Sequence, residues 1–167
     1  MKTVVVVGNP KPNSRTRDAA VRLSALLGGA YPEVIEVSEL GTGLLGWGDA
    51  TVKAAVKEVA GAHFAVFASP TFKATYSGLL KLFLDQFDTG EGLRGVTAVP
   101  LMLGAGATHA LAPDLLLRPV LAELGATTPA PGLYQLDSTY TEDGTAEEYV
   151  RRWGPYLAAA THAGRAI

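Results

Sequence analysis

Three short segments hold most of the residues whose types and spacing suit ligand chemistry. The first is Gly8-Asn9-Pro10-Lys11-Pro12-Asn13-Ser14-Arg15-Thr16, lying between a β-branched run and a helical pattern. Free N–H groups and the dipole at a helix N-terminus attract an anion. Lys11 and Arg15 add charge, Ser14 and Thr16 add hydroxyls, and Asn9 and Asn13 add amides. Together they make a cradle for one phosphate. The same residues also fit a capped helix start with solvated basic side chains. The segment lacks the Gly-Lys-Ser/Thr ending of a Walker loop and the glycines of a dinucleotide fingerprint, so a terminal monophosphate suits it better than a pyrophosphate.

The second segment is Ala68-Ser69-Pro70-Thr71-Phe72-Lys73-Ala74-Thr75-Tyr76-Ser77-Gly78. Thr71 and Ser77 can hydrogen-bond, backbone groups from Pro70 to Lys73 can read ring heteroatoms, and Phe72 and Tyr76 can wall a flat pocket. Either aromatic alone is equally at home in a core, and Lys73 alone on a solvated surface. The third is Leu103-Gly104-Ala105-Gly106-Ala107-Thr108-His109. Gly104, Ala105 and Gly106 let the backbone approach a planar ligand closely. His109 either donates to a ring carbonyl or a second substrate, or caps and packs locally. Because the pattern ends in His and follows the fourth strand, it is not a dinucleotide fingerprint. His63 and His162 read as structural, and three scattered histidines without acidic neighbours make no metal site.

A phosphate cradle, an aromatic wall and a Gly-rich backbone platform together describe a site for flavin mononucleotide. Such a ligand brings its own redox chemistry and needs to be held with one face open to a nicotinamide. No nucleophile–base pair is evident, and no side chain is assigned a catalytic role.

These segments must be positioned by the elements around them. Residues 4–7, four valines, read as a parallel strand buried on both faces. Further strands are expected at 34–37, 63–69, 96–103 and 132–136. Helices are expected at 14–27 (ending at Gly28-Gly29), 50–61, 76–88, and from Thr145 with Glu148 completing a capping box. Residues 39–49, with four glycines, read as a loop. Pro113 and Pro119 interrupt a helical segment at 109–124. Repeated β-α alternation predicts a three-layer, doubly wound α/β domain with a parallel sheet. Ligands of such sheets sit outside the carboxyl ends of the strands, where the loops at 8–16, 69–77 and 103–109 should converge.

Composition narrows the partners. The 167 residues suit one domain over the whole chain. A net charge of -2 gives no bulk attraction to nucleic acid or an acidic membrane. No stretch approaches the roughly 20 apolar residues that span a bilayer. The absence of cysteine fits a reducing cytoplasm.

On these motifs the chain resembles the NADPH-dependent FMN reductases, and within them the flavin reductases that supply two-component monooxygenases. Residues 8–16 are similar to the family's phosphate loop, with Asn9 for the usual Ser and Lys11 for the usual Arg. Residues 69–74 and 76–81 resemble its flavin-ring loop and following helix. Gly104 with His109 resembles a later family turn, and residues 114–121, ending Arg118-Pro119-Val120-Leu121, resemble that subgroup. The resemblance implies a flavodoxin-like five-stranded sheet of order 2-1-3-4-5 and hydride transfer from NADPH or NADH to FMN. It also implies a homodimer or homotetramer, with a flavin-dependent monooxygenase as a possible partner. The alternatives on the same scaffold are an FMN-bound reductase of quinones, azo compounds or metal oxyanions, and a non-enzymatic electron carrier. In the subgroup, the position of Leu115 is often aromatic or His and belongs to a helix bulge at the oligomer interface. Here Pro119 independently denies the Leu115 carbonyl its helical N–H partner, which predicts a kink or bulge nearby.

Overall fold

The computed structural model describes residues 1–28 and 31–163. Five strands form one parallel sheet: β1 (Thr3–Val7), β2 (Glu33–Glu36), β3 (Phe64–Pro70), β4 (Thr97–Gly104) and β5 (Leu133–Leu136). Their order is β2-β1-β3-β4-β5, as expected. The period of two along each strand feeds two cores. Val4 and Val6 of β1 face one core, shared with α2 (Ala50–Ala60), α3 (Gly78–Leu84) and α4 (Arg118–Glu123). Val5 and Val7 face the other, shared with α1 (Arg15–Leu26) and α5 (Thr145–Ala163). A run of four valines is thus explained by burial on both sides.

Several boundaries differ from the sequence expectation for local reasons. β2 ends at Glu36, and Val37 instead opens 3-10 turns over Val37–Leu45, broken at Gly41 with φ 58°. The expected loop at 39–49 therefore holds short helical turns before Asp49 caps α2. α3 is shorter than the apolar pattern suggested: Ser77 caps it and the helix stops before Asp85, leaving Tyr76 in the loop. The apolar pattern continues past the helix because Phe87 still packs edge-on against Phe83, ring centroids 5.3 Å apart. Gly28 follows α1 with φ 90°, whereas Gly29 lies outside the described residues. The Thr145–Glu148 capping box is not formed. Instead the Asp143 carboxylate accepts the Thr145 N–H at 2.9 Å, and Glu148 turns its carboxylate to Arg151.

The segment before α4 carries the expected irregularity. Pro113–Leu117 form a π-helical turn in which the Arg118 N–H reaches back five residues to the Pro113 carbonyl. The wide turn absorbs the missing donor of Pro119, which then sits harmlessly in the first turn of α4. Asp114 clamps this turn to the approach of β5, accepting from the Gly132 N–H at 2.8 Å and from Arg118 at 3.4 Å. Arg118 in turn donates to the Thr128 carbonyl at 2.9 Å. Replacing Asp114 with Ala should cost about 1–3 kcal/mol, because it strands the partly buried Gly132 N–H and removes the ion pair to Arg118, which keeps its bonds to Thr128. An unchanged urea midpoint would show that the clamp contributes nothing.

Candidate functional site

The loops at the carboxyl ends of β1 and β3 are joined through one buried hydroxyl. Ser77 Oγ caps α3 by accepting the Leu80 N–H at 3.0 Å, and its O–H donates to the Gly8 carbonyl. The Ser77 N–H donates to Ser69 Oγ at 2.8 Å, and Ser69 donates to the Pro70 carbonyl at 2.8 Å. Gly8 is required here by space. A Cβ on it would lie 2.4 Å from Leu80 Cβ, so β1 can meet the start of α3 only without a side chain.

Beyond Gly8, Asn9 folds the loop back on itself. Its Oδ1 accepts the Lys11 N–H at 2.9 Å and its Nδ2 donates to Thr16 Oγ1 at 2.9 Å. Ser14 is the N-cap of α1, accepting the Arg17 N–H at 3.3 Å. The first intrahelical bond runs from the Asp18 N–H to the Ser14 carbonyl at 3.1 Å, so the amides of Arg15 and Thr16 precede the helical ladder. Asn9, Lys11, Asn13, Ser14, Arg15 and Thr16 all line one open cleft of about 360 Å³, where Pro70 and Phe72 of the second loop join them. Leu103 and Asp137 complete its wall. Arg15 leans toward Asp137, with Nη1 3.4 Å from the carbonyl and 3.9 Å from the carboxylate.

The second loop contains a two-residue reversal. Phe72 and Thr75 exchange both backbone bonds, at 2.8 and 3.1 Å, around Lys73 and Ala74 with φ of 50° and 70°. Two left-handed residues make a primed turn that usually needs Asn or Gly. Here Lys and Ala accept the conformation, a cost carried at the mouth of the cleft. Phe72 is exposed against the cleft and Lys73 is exposed at the turn. Tyr76 lines neither this cleft nor the second cavity. It is half-buried against the α3 core, where burial raises its phenol pKa and nearby Lys81 partly opposes the rise.

The third loop meets the second at Gly104. The Thr71 N–H donates to the Leu103 carbonyl at 2.7 Å, while the buried Thr71 hydroxyl oxygen has no partner among the described residues. A Cβ on Gly104 would lie 3.3 Å from that oxygen and 1.9 Å from the Tyr134 hydroxyl. Tyr134 donates to the Gly106 carbonyl at 2.7 Å and so holds the exposed Ala105–Gly106 turn against β5. His109 is half-buried in a separate open cavity of about 450 Å³, lined also by Ala74, Leu111, Leu115 and Leu116. That cavity touches the second loop only at Ala74, on the primed turn. Leu115, within the π turn, is 66% exposed there.

Sequence reasoning missed Asp137, Tyr134 and Glu36. The last is a buried carboxylate that accepts the Asn13 N–H at 3.0 Å. β2 is an edge strand with an acid at each end, exposed Glu33 and buried Glu36, so its sequence pattern carries no signal that singles out Glu36. Gly104→Ala should displace Tyr134 and lower the melting temperature, whereas Gly106→Ala, with open space around it and an extended φ of -155°, should leave it unchanged. Equal melting temperatures for the two variants in thermal unfolding would contradict the packing described for Gly104.

The chain is similar in sequence and in fold to known proteins. The family model for NADPH-dependent FMN reductase matches residues 1–141. The chain is 32% identical over 143 residues to the NADH-dependent FMN reductase SfnF of Pseudomonas putida, covering 80% of this chain and 76% of that protein. It is 40% identical over 73 residues to the FMN reductase (NADPH) of Escherichia coli, covering 44% of this chain but only 38% of that protein. The apo form of an NADH:FMN oxidoreductase superposes with a TM-score of 0.82 at 29% identity, covering 97% of this chain and 89% of that one. With its strand order and these relatives, the chain belongs to the NADPH-dependent FMN reductase family and is an oxidoreductase of flavodoxin-like fold.

Proposed function

We propose that the chain holds FMN across the loops after β1, β3 and β4 and brings a reduced nicotinamide against it for hydride transfer. As a member of its family it reduces FMN with NAD(P)H. The observation that carries the assignment of residues is the single cleft joining the N-terminus of α1 to Pro70 and Phe72. An anion-suited helix start and a ring-sized wall in one cleft fit a ligand with a phosphate at one end and a planar ring at the other. The orphaned Thr71 hydroxyl beside Gly104 is a second point of fit, a buried polar atom short of a partner.

In this reading Asn9, Lys11, Asn13, Ser14, Arg15 and Thr16 hold the phosphate. Pro70, Thr71, Phe72 and Lys73 flank the ring, Tyr76 supports their loop from the α3 core rather than touching the ligand, and Gly104, Ala105 and Gly106 form the backbone platform. When bound, the flavin supplies the two-electron chemistry, and the chain supplies position and shelter. His109, in the neighbouring cavity, is placed to meet the second reactant rather than the phosphate. Relatives named for NADPH and for NADH both match, and the reading is for either coenzyme.

The open cleft and the exposed cations Lys11 and Arg15 support a flavin that exchanges, as delivery of reduced FMN to a partner monooxygenase requires. The exposed Leu111, Leu115 and Leu116 support a homodimer or homotetramer built over the second cavity. No helix among the described residues is long and apolar enough to cross a membrane, and a cysteine-free chain suits the cytoplasm.

Two measurements test this. The Lys11→Ala/Arg15→Ala variant should bind FMN roughly tenfold more weakly, two exposed charge-assisted contacts being lost, while riboflavin binding is unchanged. Unaltered FMN affinity would overturn the phosphate assignment. The purified protein should lose its flavin absorbance on desalting and oxidise NAD(P)H only when FMN is returned. A flavin band that survives desalting would instead favour a resident cofactor and a quinone, azo or metal-oxyanion acceptor.

A further inference from the structure

We propose that Glu36 is a positioning residue for the phosphate cleft, acting through the backbone of Asn13. The inference rests on the reading that this cleft takes the phosphate of FMN. Glu36 ends β2, on the strand beside β1, and is only 7% exposed. Its Oε1 accepts the Asn13 N–H at 3.0 Å and lies 3.4 Å from Arg17 Nε. Its Oε2 is buried with no partner among the described residues.

The bond falls where the loop reverses into α1. Asn13 adopts φ 52°, a left-handed conformation that Asn tolerates better than most non-Gly residues, so the turn is compatible with its residue and the Glu36 bond fixes its position. The next residue, Ser14, must be extended, at φ -80° and ψ 167°, to cap α1. The path through Asn13 therefore decides where Ser14, Arg15 and Thr16 stand along the cleft. Glu36 supplies a fixed acceptor on the sheet for that path, 23 residues away in sequence.

The charge of Glu36 argues for a purpose beyond packing. A carboxylate so close to an anion site opposes the anion, and burying it is unfavourable. An apolar residue would close β2 more cheaply. Arg17 lies against Oε1 and offsets part of both penalties, while Oε2 stays buried without a partner among the described residues; the hydrogen bond to Asn13 is what the carboxylate contributes. Arg17 is thereby committed to Glu36, while Lys11 and Arg15 remain at the cleft.

The test compares FMN with riboflavin, which lacks the phosphate, by quenching of flavin fluorescence on titration with the 167-residue chain. Glu36→Ala should weaken FMN about tenfold and leave riboflavin unchanged, a change that general loosening of the fold would not produce. Glu36→Gln keeps a carbonyl oxygen for the Asn13 N–H and should restore FMN binding. Thermal unfolding shows whether each variant is folded. If Glu36→Ala is not, Glu36→Met fills the volume without an acceptor and takes its place. Equal weakening of both flavins, no weakening, or no rescue by Gln would overturn the role of Glu36. If Lys11→Ala/Arg15→Ala separates the two flavins and the Glu36 variants do not, the cleft assignment stands and this inference falls. If neither separates them, the cleft assignment itself falls.

Discussion

The hydroxyl of Ser77 is the junction on which the candidate site depends. It binds the last carbonyl of the β1 path at Gly8 and the Leu80 amide in the first turn of α3, while its own N–H is held by Ser69 at the end of β3. The loop after β1 and the loop after β3 are therefore registered through one buried atom. Because the junction is dry, each of these bonds would be expensive to leave unmade. The lack of a side chain at Gly8 makes the approach sterically possible, and the Ser77 bonds fix it.

From that junction outward the chain becomes less regular as it nears the cleft. The strands and both cores are saturated with apolar contacts, with Val4, Val5, Val6 and Val7 all fully buried. At the rim, Asn13, Lys73 and Ala74 take left-handed backbone conformations without being glycine. The sheet and helices can hold such residues because they are themselves rigid. The consequence is a pre-shaped rim: the start of α1 is held by Asn9, by Ser14 and by the Glu36 bond to Asn13, and the loops after β3 and β4 by the primed turn and by Tyr134 against Gly104. The π turn before α4 is a third irregularity, beside the second cavity rather than the cleft, and Asp114 ties it to the sheet.

Much of this was legible in the sequence. The valine run, the breakers after it and the helical pattern beyond marked the loop at 8–16, and the alternation of elements gave the parallel sheet. The bulge before Arg118 could be anticipated from the proline that removes a donor. Features that escaped are those made by distant partners. Asn13 meets Glu36 across 23 residues and Arg15 meets Asp137 across 122, and no local pattern encodes either. The capping box failed for a local reason: Asp143, two residues earlier, reached the Thr145 amide instead. The length of α3 was overread because apolar spacing persists through Phe87, where the residues still pack although the backbone has left the helix.

The central claim is that this chain makes a nicotinamide reduce FMN, rather than merely storing a flavin. The direct measurement is anaerobic: FMN and NAD(P)H are mixed with catalytic amounts of the protein, and the oxidised-flavin absorbance is followed. The account requires that absorbance to bleach over many turnovers, at a rate proportional to protein and far above that of the mixture without it. Tight FMN binding with no bleaching beyond the protein-free mixture, with either NADH or NADPH, would contradict it and leave an electron carrier on the same fold.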